Sequence, residues 1–168
     1  MTSRMPPIAV SRPVFDDSAF PVVLLAGAGG HGHAFAWGAA MRGLLARRQP
    51  FVIVEDSAQG VEHPADRQAR RCWIRTHACE LQTYCLGLVG IERDLERRSQ
   101  TRVSLSELVE PAGLRSLVVS TEPLARQLAG VLLMGARPAA PAPDALDVRA
   151  QGDHAPRAAP VRRLLSVQ

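Results

Sequence analysis

Lysine is missing from this chain: all 20 of its basic residues are arginine. The bias accompanies abundant alanine, glycine, proline and leucine, so it reflects a GC-rich coding sequence rather than a chemical task. Aromatic residues are scarce, at 4%, too few for a base-stacking surface. Arginine is interleaved with aspartate and glutamate, so the net charge of +4 forms no stripe, and nucleic acid is not an expected partner. A weak pull toward anionic lipid or diphosphate stays compatible with that charge. Cys72, Cys79 and Cys85 are three in number and cannot make a fully paired disulfide framework. The longest apolar run, Phe20 to Ala26, is far too short to span a bilayer. Met1 to Ala19 holds prolines and two aspartates where a signal peptide needs an apolar centre. A reducing, cytoplasmic compartment is therefore expected, with peripheral contact at the inner face of a membrane left open.

What the chain does have is an apolar run, Phe20-Pro21-Val22-Val23-Leu24-Leu25-Ala26, feeding the turn Gly27-Ala28-Gly29-Gly30-His31-Gly32-His33. A helical pattern follows at once. Strand, glycine turn and helix together aim backbone N–H groups and the positive helix end at one point, a corner suited to phosphate. Gly27, Gly29 and Gly32 satisfy G-x-G-x-x-G in the context that motif requires. Gly27, Gly29, Gly30 and Gly32 are thus candidate ligand-binding residues, against the plainer reading that glycines only permit a tight turn. His31, at the helix start, is the candidate catalytic residue, as a neutral imidazole accepting a proton or touching phosphate. His33 reads as an exposed polar residue.

The next elements complete a βαβ unit. Residues 31–48 read as a helix with Trp37, Met41, Leu44 and Leu45 on one face, and Phe51-Val52-Ile53-Val54 as a buried strand ending in Glu55-Asp56. In a dinucleotide reading Glu55 or Asp56 would hold a ribose, a few residues later than the usual ~20. Residues 57–70 read as a charged loop, Cys72-Trp73-Ile74 as a short strand, and 77–98 as a helix built on Tyr84, Leu88, Ile91 and Leu95. A short helix is expected at 104–109, a strand at 116–120, and a helix from Pro123 toward Gly135. Ser120 and Thr121 form a second strand-to-helix corner, able to bind substrate or to cap the helix.

The expected architecture is α/β: a Rossmann-like, doubly wound parallel sheet in three layers, α/β/α, forming one domain over 20–137. Residues 1–19 read as a flexible leader and 138–168 as a disordered Pro/Ala-rich tail. Cys72, His77, Cys79 and Cys85 lack any C-x-x-C pair, so no metal site is expected. Neither G-x-x-x-x-G-K-[ST] nor G-x-S-x-G occurs, and no cofactor is expected.

The segment Ala26-Gly27-Ala28-Gly29-Gly30-His31 resembles the Gly-Gly-His loop of GT-B-type N-acetylglucosaminyltransferases. In layout over about residues 20–137, the chain is similar to the small anchoring subunit of the two-part UDP-N-acetylglucosamine transferase. That resemblance implies a glycosyltransferase subunit acting on a lipid-linked diphosphate acceptor and needing a catalytic partner subunit. Carried over, Gly29, Gly30 and His31 would line the acceptor diphosphate. Gly32-His33 departs from the usual continuation, and the Ser120 corner lacks the glycine often found there. The same glycine segment is also similar to the opening of sugar O- or N-acetyltransferases, whose hexapeptide-repeat β-helix is absent here. Two other readings stand beside the transferase: a stand-alone nucleotide, dinucleotide or nucleotide-sugar binding domain, and a non-enzymatic interaction protein.

Overall fold

The protein is described by a computed structural model covering residues 13–26, 32–60 and 62–136. In chain order the elements are β1 (Phe15–Asp16), β2 (Val22–Leu25), α1 (His33–Ala46), β3 (Phe51–Asp56), α2 (Pro64–Thr76), α3 (Ala78–Tyr84), β4 (Cys85–Ile91), α4 (Leu95–Val109), β5 (Ser116–Val119) and α5 (Glu122–Met134). They build a five-stranded sheet in the order β1-β2-β3-β4-β5. β1 pairs antiparallel to β2, and β2 through β5 run parallel.

Continuous apolar runs make these strands because both sheet faces are covered. Along β3, Phe51 and Ile53 join Val23, Leu25, Trp37, Met41, Ile74, Leu81 and Leu108 in one core. Val52 and Val54 turn the other way, to Val89, Ile91, Val119, Ala125 and Ala129. The first core draws on α1, α2, α3 and α4, the second on α5 alone. Consecutive parallel strands joined by crossovers of one hand place the connecting helices on one side. The α/β class, the mostly parallel sheet and the layers on both faces agree with the sequence. Coverage of the two faces is unequal because the strand order never reverses between β2 and β5.

One glycine shapes the sheet. Pairing shifts from Phe51 opposite Cys85 to Ile53 opposite Leu88, so β4 carries an extra residue. Gly87 takes it up at φ +153°, where a Cβ would lie 2.8 Å from the Arg115 carbonyl oxygen. The bulge explains why Cys85 and Leu88, three residues apart, face the same core.

Three local expectations are corrected. Residues 64–76 form α2 rather than the end of a loop and a strand at 72–74. Pro64 stands in the first turn, where its missing N–H costs nothing, and the His63 ring caps the helix by accepting from Ala65 N. Residues 85–91 are a buried strand, not the middle of a helix over 77–98. The spacing of Leu88, Ile91 and Leu95 imitates a helix, yet Cys85-Leu86-Gly87-Leu88-Val89-Gly90-Ile91 is an apolar run with two poor helix formers. The helix expected at 104–109 begins instead at Leu95, capped by Asp94. In addition, β1 lies within the expected leader, and Phe15 is buried 6.2 Å from the Trp37 ring. The expected tail falls outside the described residues from 137 onward.

Candidate functional site

The sequence points to the edge where the parallel strands end. Gly27, Gly29, Gly30 and His31 lie outside the described residues, and the loop enters the structure at Gly32. Gly32 is the N-cap of α1 at φ +85°, a left-handed conformation that a side chain would strain. It supplies no side-chain cap. Asp66 of α2 substitutes: its Oδ1 accepts from Ala34 N at 3.3 Å. Asp66 also lies in the first turn of its own helix, so one buried carboxylate meets the positive ends of two helices. Its Oδ2 and the Nε2 of His33 are both buried without a partner.

One turn further along α2, Arg70 is 1% exposed. Its guanidinium lies 4.8 Å from the Trp37 ring centre, donates to Glu62 Oε1 at 3.1 Å and pairs with Glu55 Oε2 at 3.4 Å. Glu55, a candidate ribose ligand, is therefore bound to an arginine. Asp56, the other candidate, accepts two bonds from Arg93, at 2.7 and 2.9 Å, and one from Ala58 N. The Arg93 guanidinium holds the Asp56 carboxyl below the usual carboxylate range.

The remaining corner is built the same way. Glu92, just past β4, is buried; its Oε1 accepts from Asp94 N at 2.9 Å and its Oε2 from Thr101. The bond from Asp94 N is the main cause that lowers its pKa. Ser57 donates to the Ile91 carbonyl at 2.8 Å, joining the ends of β3 and β4. Thr121 caps α5, its Oγ1 accepting from Leu124 N, while Ser120 beside it is half-buried. The structure thus brings Glu55, Asp56, Ser120 and Thr121 to one edge, and three of the four hold loops and helices in place.

Comparison with known proteins finds no matching family model, no matching curated protein and no matching solved structure. The site must therefore be read from its own chemistry.

Asp66, Arg70, Glu92 and Arg93 are the residues that sequence reasoning missed. The i, i+4 spacing of Asp66 and Arg70 was the available signal, hidden because a charged stretch reads as solvated loop. Among the described residues, no cluster of three or more His, Cys, Asp or Glu could hold a metal ion. The three cysteines are unbridged, and burial pushes the Cys85 thiol up to about 12. No helix among the described residues is long and apolar enough to cross a membrane. Chemically, the edge is a brace: arginine–carboxylate pairs fasten the loops after β3 and β4 to each other and to α2.

Proposed function

We propose that this chain is a protein-docking module, and that its partner sits on the outer face of α5. The observation that carries this reading is that α5 bears apolar side chains on its outer face as well as on the face packed against the sheet. Ala125 and Ala129 point into the sheet, flanked by Leu128, Leu132 and Leu133. The opposite face presents Leu124, Val131 and Met134, which are 40%, 57% and 81% exposed, with Gln127 between them. Large apolar side chains gathered on one exposed face mark an interaction surface. The charged pair Glu122–Arg126, at 2.8 Å, stands on the flank of this stripe near its start. That flank suits a partner helix bringing an apolar face and a base–acid pair in the opposite order, as in a subunit interface with a dry centre and a polar rim. The braced acids at the sheet edge fit a scaffold better than a set of reacting groups.

The transferase reading is a narrower form of the same proposal. A subunit that helps move N-acetylglucosamine from UDP-N-acetylglucosamine to a lipid diphosphate also works by docking a catalytic partner. Its acceptor group would rest on the glycine loop, at the N-terminus of α1, and there Asp66 already supplies a carboxylate. A diphosphate would have to displace it.

The test is native mass spectrometry of the full chain purified from its own cells. The expected result is a stoichiometric complex that Val131→Glu with Met134→Glu reduces to the free chain, at unchanged melting temperature. Identical composition for wild type and variant would overturn the proposal.

A further inference from the structure

A groove of about 670 Å³ opens at the other end of the molecule, between the end of α1 and α3. It lies where β3 and β4 begin, opposite the edge that carries the glycine loop. Arg42, Leu45 and Arg48 form one wall, and His77, Glu80 and Tyr84 the other. Neither Arg42 nor Arg48 enters an ion pair among the described residues, although most other arginines around the core are bonded to carboxylates or carbonyls.

Arg48 is also the one described residue other than glycine with a positive φ, at 52°. The left-handed position after a helix is normally filled by glycine or asparagine. An arginine held there sends a long cationic side chain from a fixed backbone into the groove. The negative end of α1 favours a cation at this place, which accounts for the charge but not for the missing partner. Across the groove, His77 stacks on Trp73 at 3.8 Å, and its Nδ1 lies 2.9 Å from the Trp73 carbonyl oxygen. A carbonyl only accepts, so Nδ1 carries the proton and Nε2 of the neutral ring is an acceptor, leaving the two guanidiniums as the donors of the groove.

We infer that this groove binds a phosphate monoester with an apolar body. The two guanidiniums offer more donors than the two oxygens of a carboxylate can use, they match the three terminal oxygens of a phosphate ester, and they outweigh the single Glu80 carboxylate of the opposite wall. Leu45, Ala46 and the Tyr84 ring provide the apolar floor. This assignment is independent of the α5 interface, which lies on the other face of the sheet.

The experiment is a titration of the full chain, followed by amide NMR at fixed ionic strength, with phenyl phosphate, inorganic phosphate and a poly-aspartate peptide as probes. The expected result is saturable shifts at Arg48, His77, Glu80 and Tyr84 that are tighter for phenyl phosphate than for inorganic phosphate. Arg42→Gln with Arg48→Gly should weaken binding about tenfold or more. Glycine suits the left-handed position, so this variant keeps its fold, which circular dichroism verifies. Three results would overturn the inference: no saturation by phenyl phosphate, equal affinity in the variant, or a response to poly-aspartate alone.

Discussion

The two faces of the sheet are built to different depths. On one, four helices enclose Trp37, Met41, Phe51, Ile74, Leu81 and Leu108, all with 2% exposure or less. On the other, α5 lies on valines and isoleucine through Ala125 and Ala129, both fully buried. Large side chains on the thick face fill a wide space between sheet and helices. Small ones on the thin face let a single helix approach closely, and that helix then has an outer side to spare. The difference puts the larger core on the first face and leaves exposed apolar side chains on the second, where the proposed partner would sit.

The largest expected effect belongs to the thick face. Trp37 contacts Phe15, stands edge-on to Trp73 at 5.3 Å and carries the Arg70 guanidinium. Trp37→Ala should cost about 3–5 kcal/mol by urea unfolding. A loss under 1 kcal/mol would show that the four-helix face is not the main core. Next comes the seam between the faces: Gly87→Ala forces a Cβ against the Arg115 carbonyl in a conformation that disfavours side chains. It should cost about 1–3 kcal/mol, and a neutral result would mean the bulge is dispensable.

The braced edge should contribute less and in a pH-dependent way. Asp56 and Glu92 are ionised more readily in the folded protein than in the unfolded chain. Their contribution is therefore full above the ordinary carboxylate range, about pH 4, and is lost as pH falls through the lower folded values. Asp56→Asn should cost about 0.5–1 kcal/mol at pH 7 and should reduce the drop in urea midpoint between pH 7 and pH 3. An unchanged drop would remove Asp56 from the brace. Smallest of all, Val131→Glu should change stability by no more than about 0.5 kcal/mol, because the side chain is largely exposed. A large loss would make the outer face of α5 part of the fold rather than an interface.

These elements differ in how far the sequence revealed them. β2, β3 and β5 were legible as short apolar runs, and α1 and α5 as apolar residues at helical spacing. Pro64 misled because the same residue that breaks a helix also starts one, and only the His63 cap and the buried face of α2 decide between them. β4 misled because Leu88 and Ile91 are spaced as on one helix face, whereas in the strand they point to opposite cores. At the site, the glycine turn announced the start of α1, and Glu55, Asp56, Ser120 and Thr121 were placed on the right edge. The bonding of Glu55 and Asp56 was hidden, since Arg70 and Arg93 reach them from positions 15 and 37 residues away. Long-range charge pairing leaves no local period to read.

The most direct measurement of the central claim is site-specific photo-crosslinking in the cells of origin, with the crosslinker at residue 131 on α5 or at residue 102 on α4. The account predicts one discrete adduct from residue 131, whether to a second copy or to another protein, and none from residue 102. The same pattern from both positions, or no adduct from residue 131, would contradict it.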